Sequence, residues 1–170
     1  KGFARGFELL LRKQKGRLTG WLSYQRNQTQ YEFPGLNNGD PFLSDHDVTQ
    51  EFKSVLMTSI GTWNLTANWV YASGRVFTHP DNIQVDPSYN ILVSKGKNGE
   101  RLNSIHHLDV SISKTWLIFS TRIHFGLSVY NLYNQNNMSH KRYNPYTPSL
   151  TASDVAMLGI TPTLFLQISF

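Results

Sequence analysis

The chain has no cysteine among its 170 residues, which removes both a disulfide framework and thiolate chemistry. That absence fits many compartments and selects none. Long hydrophobic runs are missing as well. A membrane-spanning helix needs roughly 20 consecutive apolar residues, and no stretch here approaches that. Spanning β-strands stay open, because each needs only about 9–11 residues, half of them apolar. No apolar stripe with a 3.6-residue period runs through the chain, so substantial helix is not expected. Catalytic signatures are absent too: there is no Gly-x-Ser-x-Gly, no Walker loop and no His-Glu-x-x-His. The expectation is a protein that is not an enzyme and carries no cofactor.

What is present is polar, aromatic and mildly basic. Aromatic residues make up 13% of the chain and the net charge is +5. The basic residues are scattered apart from Arg12, Lys13, Lys15 and Arg17. No aromatic side chains interleave with that cluster, so it reads as a solvated turn and not as a nucleic-acid surface. Lys1-Gly2-Phe3-Ala4 is not a translation start and no export signal follows; the chain is expected to be a piece of a longer one.

Seven stretches alternate as strands do: 4–13, 17–27, 48–60, 63–73, 106–116, 121–133 and 163–170. In the fourth, Trp63, Leu65, Ala67, Trp69 and Tyr71 share one face, opposite Asn64, Thr66 and Asn68. Leu164, Leu166, Ile168 and Phe170 share a face in the last, with Gln167 and Ser169 behind them. The connections alternate strictly between short and long. Short ones lie around Gln14-Lys15-Gly16, at Gly61-Thr62 and near 117–120; long ones run through 28–47, 74–105 and 134–162. An up-and-down antiparallel sheet with that pattern puts every short turn on one rim and every long loop on the other. Outer-membrane barrels have this asymmetry, with short periplasmic turns and long outer loops.

The long connections are rich in turn formers: Pro34-Gly35-Leu36-Asn37-Asn38-Gly39-Asp40-Pro41, His79-Pro80-Asp81-Asn82 and Asp86-Pro87-Ser88-Tyr89. Asn98-Gly99 predicts a tight reversal, and with it a small hairpin inside the second long loop. Trp63 and Trp116 fall beside short turns, whereas Tyr24, Tyr71 and Tyr133 fall where strands leave for long loops. Trp63 and Tyr71 are eight steps apart on one face. At ~3.3 Å per residue and ~40° tilt, that is about 20 Å vertically, close to the lipid-facing band between aromatic girdles.

On these residues the chain resembles the C-terminal part of the β-barrel of TonB-dependent outer-membrane receptors of Bacteroidetes type. The resemblance runs through Gly6-Phe7-Glu8-Leu9-Leu10-Leu11, Leu18-Thr19-Gly20-Trp21-Leu22-Ser23-Tyr24, Phe33-Pro34 and Asp45-His46-Asp47. It continues with Trp63 to Arg75, Asn98-Gly99, Arg101-Leu102 and His107-Leu108-Asp109-Val110-Ser111. Leu127-Ser128-Val129-Tyr130-Asn131-Leu132-Tyr133-Asn134 and Gly159-Ile160-Thr161-Pro162-Thr163 complete it. No single element is specific; their order and spacing is.

The resemblance implies an all-β, antiparallel, up-and-down transmembrane barrel segment of about seven strands, from a parent that imports a scarce nutrient through a plugged barrel. Implied partners are outer-membrane lipid, the remaining barrel and plug of the parent, and, through the parent, an inner-membrane energy-coupling protein; nucleic acid is not among them. Leu164, Leu166, Ile168 and Phe170 match the terminal signal read by barrel assembly. Ligand contacts are expected from the long loops, with Arg75, Asp81, Tyr89, Lys95, Arg101, Lys141, Arg142 and Tyr143 as unranked candidates.

The six histidines do not make a metal site in this reading. His106 and His107 point to opposite faces of a strand, and His46 between Asp45 and Asp47 reads as a strand-entry cluster. Asn37-Asn38-Gly39-Asp40 lacks the rest of a calcium loop. Three Asn-x-Ser/Thr matches, at Asn27, Asn64 and Asn137, are too short to carry weight. Two alternatives stand beside the receptor: a small outer-membrane barrel acting as adhesin or anchor, and a soluble β-sandwich binding module.

Overall fold

The computed structural model describes residues 1–85, 90–94, 96–146 and 150–170. It is all-β and antiparallel, and no α-helix occurs among the described residues. In chain order the strands are β1 (Gly2–Lys13), β2 (Leu18–Tyr31), β3 (Phe42–Leu43), β4 (Gln50–Ile60), β5 (Trp63–Ala72), β6 (Val76–Phe77) and β7 (Asn82–Val85). There follow β8 (Asn90–Val93), β9 (Glu100–Arg101), β10 (Ile105–Ile118), β11 (Thr121–Tyr130), β12 (Met138–Asn144), β13 (Thr151–Ala156) and β14 (Thr161–Ser169).

Among the described residues fourteen strands replace the expected count of about seven. The seven long ones, β1, β2, β4, β5, β10, β11 and β14, pair with their neighbours in chain order as a meander. The other seven are short pieces within the long connections. β3 adds to the end of β2, while β6–β9, β7–β8 and β12–β13 form separate two-stranded ribbons. Alternation could not reveal these short pieces. Two-residue strands have no period, and Met138–Asn144 carries too few apolar residues to show one.

The sheet does not close. Among the described residues β1 pairs only with β2 and β14 only with β11, so both end strands keep a free edge. Exposed edges are normally blunted or covered, because their unpaired N–H and C=O groups seek partners. Both two-residue hairpins need positive φ at their first turn residue. Gly61 supplies it at 59° without a Cβ to clash. Phe119 adopts 53° in the β10–β11 turn, rare for an aromatic residue, with its ring fully exposed.

Cross-strand register fixes which residues share a face. Lys13, Gly20, Leu56, Ala67 and Val110 stand in one row. From Val110, β10 runs on eight residues to Ile118, whereas β1 ends at Lys13. The short turns therefore step progressively along the strand direction, which is the shear of strands tilted to a common axis. One face carries Phe7, Leu9, Leu22, Leu56, Leu65, Trp69, Val110, Ile112, Phe125, Leu127, Leu164, Leu166 and Ile168. The other carries Glu8, Gln25, Lys53, Asn68, Asp109, Ser111, Ser128 and Gln167.

No second layer covers the apolar face. Leu9, Leu11, Ile60, Leu164 and Leu166 are 54, 57, 65, 68 and 63% exposed. Among the described residues the buried apolar side chains, Phe42, Ala72, Val76, Pro80 and Leu102, all lie at or above the long-loop end. A sandwich built from this chain alone would bury the apolar face, and it does not. On the polar face, Gly126 makes room for Phe165: a Cβ there would meet the ring at 2.3 Å. That explains a glycine in mid-strand, where its flexibility is otherwise a cost.

Candidate functional site: the joined long loops and the cleft beneath them

The long connections meet as one cap. Asn37 and Lys97 exchange two hydrogen bonds, Asn37 Nδ2 donating to the Lys97 carbonyl at 3.2 Å and Lys97 N–H to Asn37 Oδ1 at 2.6 Å. Asp45 Oδ1 accepts from Lys97 Nζ at 2.6 Å and from Asn98 Nδ2 at 2.7 Å. Asn98 Nδ2 also donates to the Leu43 carbonyl at 2.7 Å. These bonds tie the first long loop to the second. They hold the Asp45 carboxyl below its usual pKa, chiefly through Lys97 and then Asn98.

A second node is buried. The Asp47 side chain is only 2% exposed. Its Oδ1 accepts from Arg101 Nη2 at 2.7 Å and from Thr49 Oγ1 at 2.8 Å. Arg101 completes its fork with Thr49 Oγ1 at 2.9 Å and the Gly74 carbonyl at 2.6 Å. Arg101 is thus occupied by the protein, fastening β9 to the entry of β4. The second loop reaches the third through His79 Nδ1 and Tyr143 Oη at 3.0 Å, and through Asn90 Nδ2 donating to the Pro145 carbonyl at 2.8 Å. Burial raises the pKa of the Tyr143 hydroxyl.

Two asparagines anchor the third loop to the sheet. Asn131 and Asn137 are 0 and 2% exposed. Asn131, at φ 51°, ends β11 at Tyr130, so Tyr133 lies beyond the strand that the sequence assigns to it. Its amide bonds the Gln135 N–H and carbonyl, each at 2.9 Å. The Asn137 amide pairs with both backbone groups of His106, at 3.0 and 2.9 Å, and so imitates one more strand residue. Each carries its partners, as a buried amide must.

Below the first loop a cleft of about 750 Å³ opens on the polar face. Glu8, Gln25, Asn27 and Glu51 come from the sheet, and Ser44, His46 and Asp47 from the loop above. Glu51 accepts a short hydrogen bond from Gln25 and pairs with Lys53 at 2.8 Å. Carboxylate, amide and hydroxyl groups line this space together with Arg5 and Phe7, a mixed lining that suits a polar ligand. Composition carries no signal for the cleft; only the folding of 44–48 over the sheet creates it.

The remaining sequence candidates divide by place. Arg75 and Arg142 are exposed in the cap, and Lys141 pairs with Asp154 at 2.8 Å. Tyr89 and Lys95 lie outside the described residues, as does the Asp86-Pro87-Ser88-Tyr89 stretch. The expected small hairpin exists as β7–β8, but Asn98-Gly99 is not its reversal; it turns the chain between β8 and β9. Among the described residues, no three His, Asp or Glu side chains gather as a metal site would require. His106 and His107 do take opposite faces: His106 Nδ1 meets Tyr133 Oη at 2.8 Å, and His107 Nδ1 meets Asp109 Oδ1 at 2.9 Å.

Aromatic side chains gather at both ends of the apolar face. Near the short turns, Trp63 and Trp116 meet edge to face at 6.4 Å, with Lys114 Nζ 5.1 Å from each ring centre. Near the long loops, Trp69 stacks on Tyr71 at 6.4 Å and donates through Nε1 to Tyr133 Oη at 3.2 Å. Tyr24 packs on Phe7 at 5.7 Å in the same zone.

Comparison with protein-family models, with curated proteins and with solved structures finds no match to this chain. No family follows from similarity. Function has to be argued from the geometry and from the resemblance carried by the sequence.

Proposed function

We propose that this chain is the C-terminal part of the β-barrel of a TonB-dependent outer-membrane receptor, whose parent takes up a scarce nutrient through a plugged lumen with energy relayed from the inner membrane. One observation carries the reading: a seven-stranded meander presents one uncovered apolar face, and all its long connections rise from one rim. Strands of nine to fourteen residues are long enough to cross a bilayer at the tilt of a barrel. In this reading lipid covers the apolar face, and further strands of the parent barrel join the free edges of β1 and β14, since open edges are not tolerated in hydrocarbon. Trp63, Trp116, Tyr24, Tyr71 and Tyr133 form the two aromatic girdles. Leu164, Leu166, Ile168 and Phe170 serve barrel assembly. The joined loops lie outside the cell and deliver ligand toward the polar face.

The absence of cysteine from the chain makes the test direct. Single cysteines at Asn38, in a long loop, and at Ser120, in a short turn, are probed on intact cells with a membrane-impermeant maleimide, against the wild-type background. The expected result is labelling at position 38 on intact cells, labelling at 120 only after the outer membrane is opened, and recovery in the outer-membrane fraction. Recovery in the soluble fraction would sink the reading. Growth of a deletion strain on limiting iron chelates, cobalamin, glycans or peptides then separates transport from anchoring. Undiminished growth on all of them leaves the anchor.

A further inference from the structure

Acidic residues are distributed over the sheet with complete asymmetry. The short-turn half consists of residues 9–23, 54–68, 110–128 and 163–170, and none of the eleven Asp and Glu falls there. Six cations do: Arg12, Lys13, Lys15, Arg17, Lys114 and Arg122. Among the described residues none of the six is in a salt bridge; elsewhere Lys1, Lys53, Lys97, Arg101 and Lys141 each have an acidic partner, while Arg5, Arg26, Arg75 and Arg142 are in no salt bridge. Unopposed like charges at one rim repel one another and destabilise the fold unless an anionic surface meets them.

Placement identifies that surface. Lys13 shares the apolar face with Lys114, while Lys15 and Arg17 occupy the turn just beyond. Lys13 and Lys114 are four strands apart in the sheet, and Lys114 lies four residues further along its row. Strands ~4.8 Å apart and tilted ~40° shift by about 1.2 residues per neighbour, so the two ammonium groups reach about the same depth. Lys114 is held between the rings of Trp63 and Trp116, residues suited to the boundary between hydrocarbon and headgroups. From that boundary a lysine extends its head toward anionic groups.

Resting on the membrane reading above, we infer that the short-turn rim binds anionic phospholipid headgroups of the leaflet it faces, with Lys13, Lys15, Arg17 and Lys114 as the contacts. Arg12 and Arg122 lie on the polar face and stay out of the lipid contact.

The test reconstitutes the purified parent receptor, whose further strands cover the edges of β1 and β14, in phosphatidylcholine vesicles carrying a trace of spin-labelled phosphatidylglycerol or spin-labelled phosphatidylcholine. The spectrum gives the fraction of each label immobilised at the protein surface. The expected preference for phosphatidylglycerol is ~3-fold at low salt, falling toward unity at about 1 M salt. The combined variant Lys13→Gln, Lys15→Gln, Arg17→Gln, Lys114→Gln should keep its strand content and immobilise phosphatidylcholine as before, with the preference gone. Equal immobilisation of both labels by the wild type overturns the inference and leaves the membrane reading standing. A folded variant that keeps the preference also overturns it. Immobilisation of neither label overturns the membrane reading and this inference together. Should the variant fail to fold, the salt dependence of the wild type still decides.

Discussion

The sheet and the loop cap solve opposite problems with the same chain. Among the described residues the cap holds four of the five buried apolar side chains, Phe42, Val76, Pro80 and Leu102, and every buried polar one, Asp47, Asn98, Asn131 and Asn137. An aromatic cluster accompanies them, Tyr31, Phe33 and Phe42 at 6.0–6.3 Å, of which Phe42 is the buried member. The sheet has no such core. Its strands pair in register from β1 to β14, apart from staggered ends and two free edges, yet among the described residues nothing covers its apolar face. An element that satisfies its polar groups internally and leaves its apolar groups unpartnered has the makeup that the proposed membrane location requires. One that buries apolar and polar groups together, each polar group bonded, is matched to water.

Putting one charge on each face tests that contrast hardest. Ile112 and Ser111 are consecutive residues of β10 on opposite faces. With the apolar face in lipid, Ile112→Arg costs ~2–4 kcal/mol, the penalty of a cation near mid-bilayer. Ser111→Arg, among the hydroxyls of Thr66 and Ser128, costs about 0.5 kcal/mol or less. Denaturant titration of the protein folded in lipid vesicles measures both. Equal costs, or a larger one at Ser111, would mean that the polar face is the buried one.

The next test breaks the cap and spares the sheet. Arg101→Ala leaves the Asp47 carboxylate buried without its counter-charge, a loss of about 3 kcal/mol. That loss should fall on local opening, because the Arg101 fork reaches only Asp47, Thr49 and the Gly74 carbonyl, all at the rim of the sheet. Hydrogen exchange should accelerate at the amides of 42–49 and 98–102 and stay unchanged at the centre of β5 and β10. Acceleration throughout would show that the cap and sheet unfold as one unit.

The same division explains what the sequence discloses. Alternation exposes all seven long strands, because a two-faced sheet writes its period directly into Trp63–Ala72 or Thr121–Tyr130. The ends are less legible. β2 continues to Tyr31 through Gln28, Thr29 and Gln30, which offer no apolar contrast but pair with β1 and β3. β10 continues to Ile118 because Leu117 and Ile118 break the alternation without ending the pairing. The cap is nearly silent in sequence. Asp47, Asn98, Asn131 and Asn137 are ordinary loop residues, and their importance comes from partners as far as 55 residues away. The Asp45-His46-Asp47 cluster is the one visible trace. It does open β4, yet nothing in its spacing announces Lys97 or Arg101. Arg101 stands out as a ligand candidate for the same reason that it makes a clamp: an arginine in a polar loop needs an acceptor, and here the acceptor is internal.

A finer division runs within the cap, between a node closed to water and one open to it. Asp47 is enclosed, whereas the Asp45 side chain is 59% exposed beside Lys97. Because Asp45 titrates below its usual value of 3.8, its bonds to Lys97 and Asn98 contribute fully above the ordinary Asp range. That contribution is lost as pH falls through the lowered value, with His46 nearby adding a small favourable charge when protonated. Acidification should therefore loosen 37–45 and 96–98 before the sheet responds. The effect is small, since an exposed pair is screened by solvent. Hydrogen exchange corrected for intrinsic rates reads it directly, and Asp45→Asn supplies the comparison. The substituted protein should show faster exchange in these segments at neutral pH and no further acceleration on acidification. If it keeps the full pH response, the acid-sensitive group of the cap is a different carboxylate, and the open node is not where the cap first gives way.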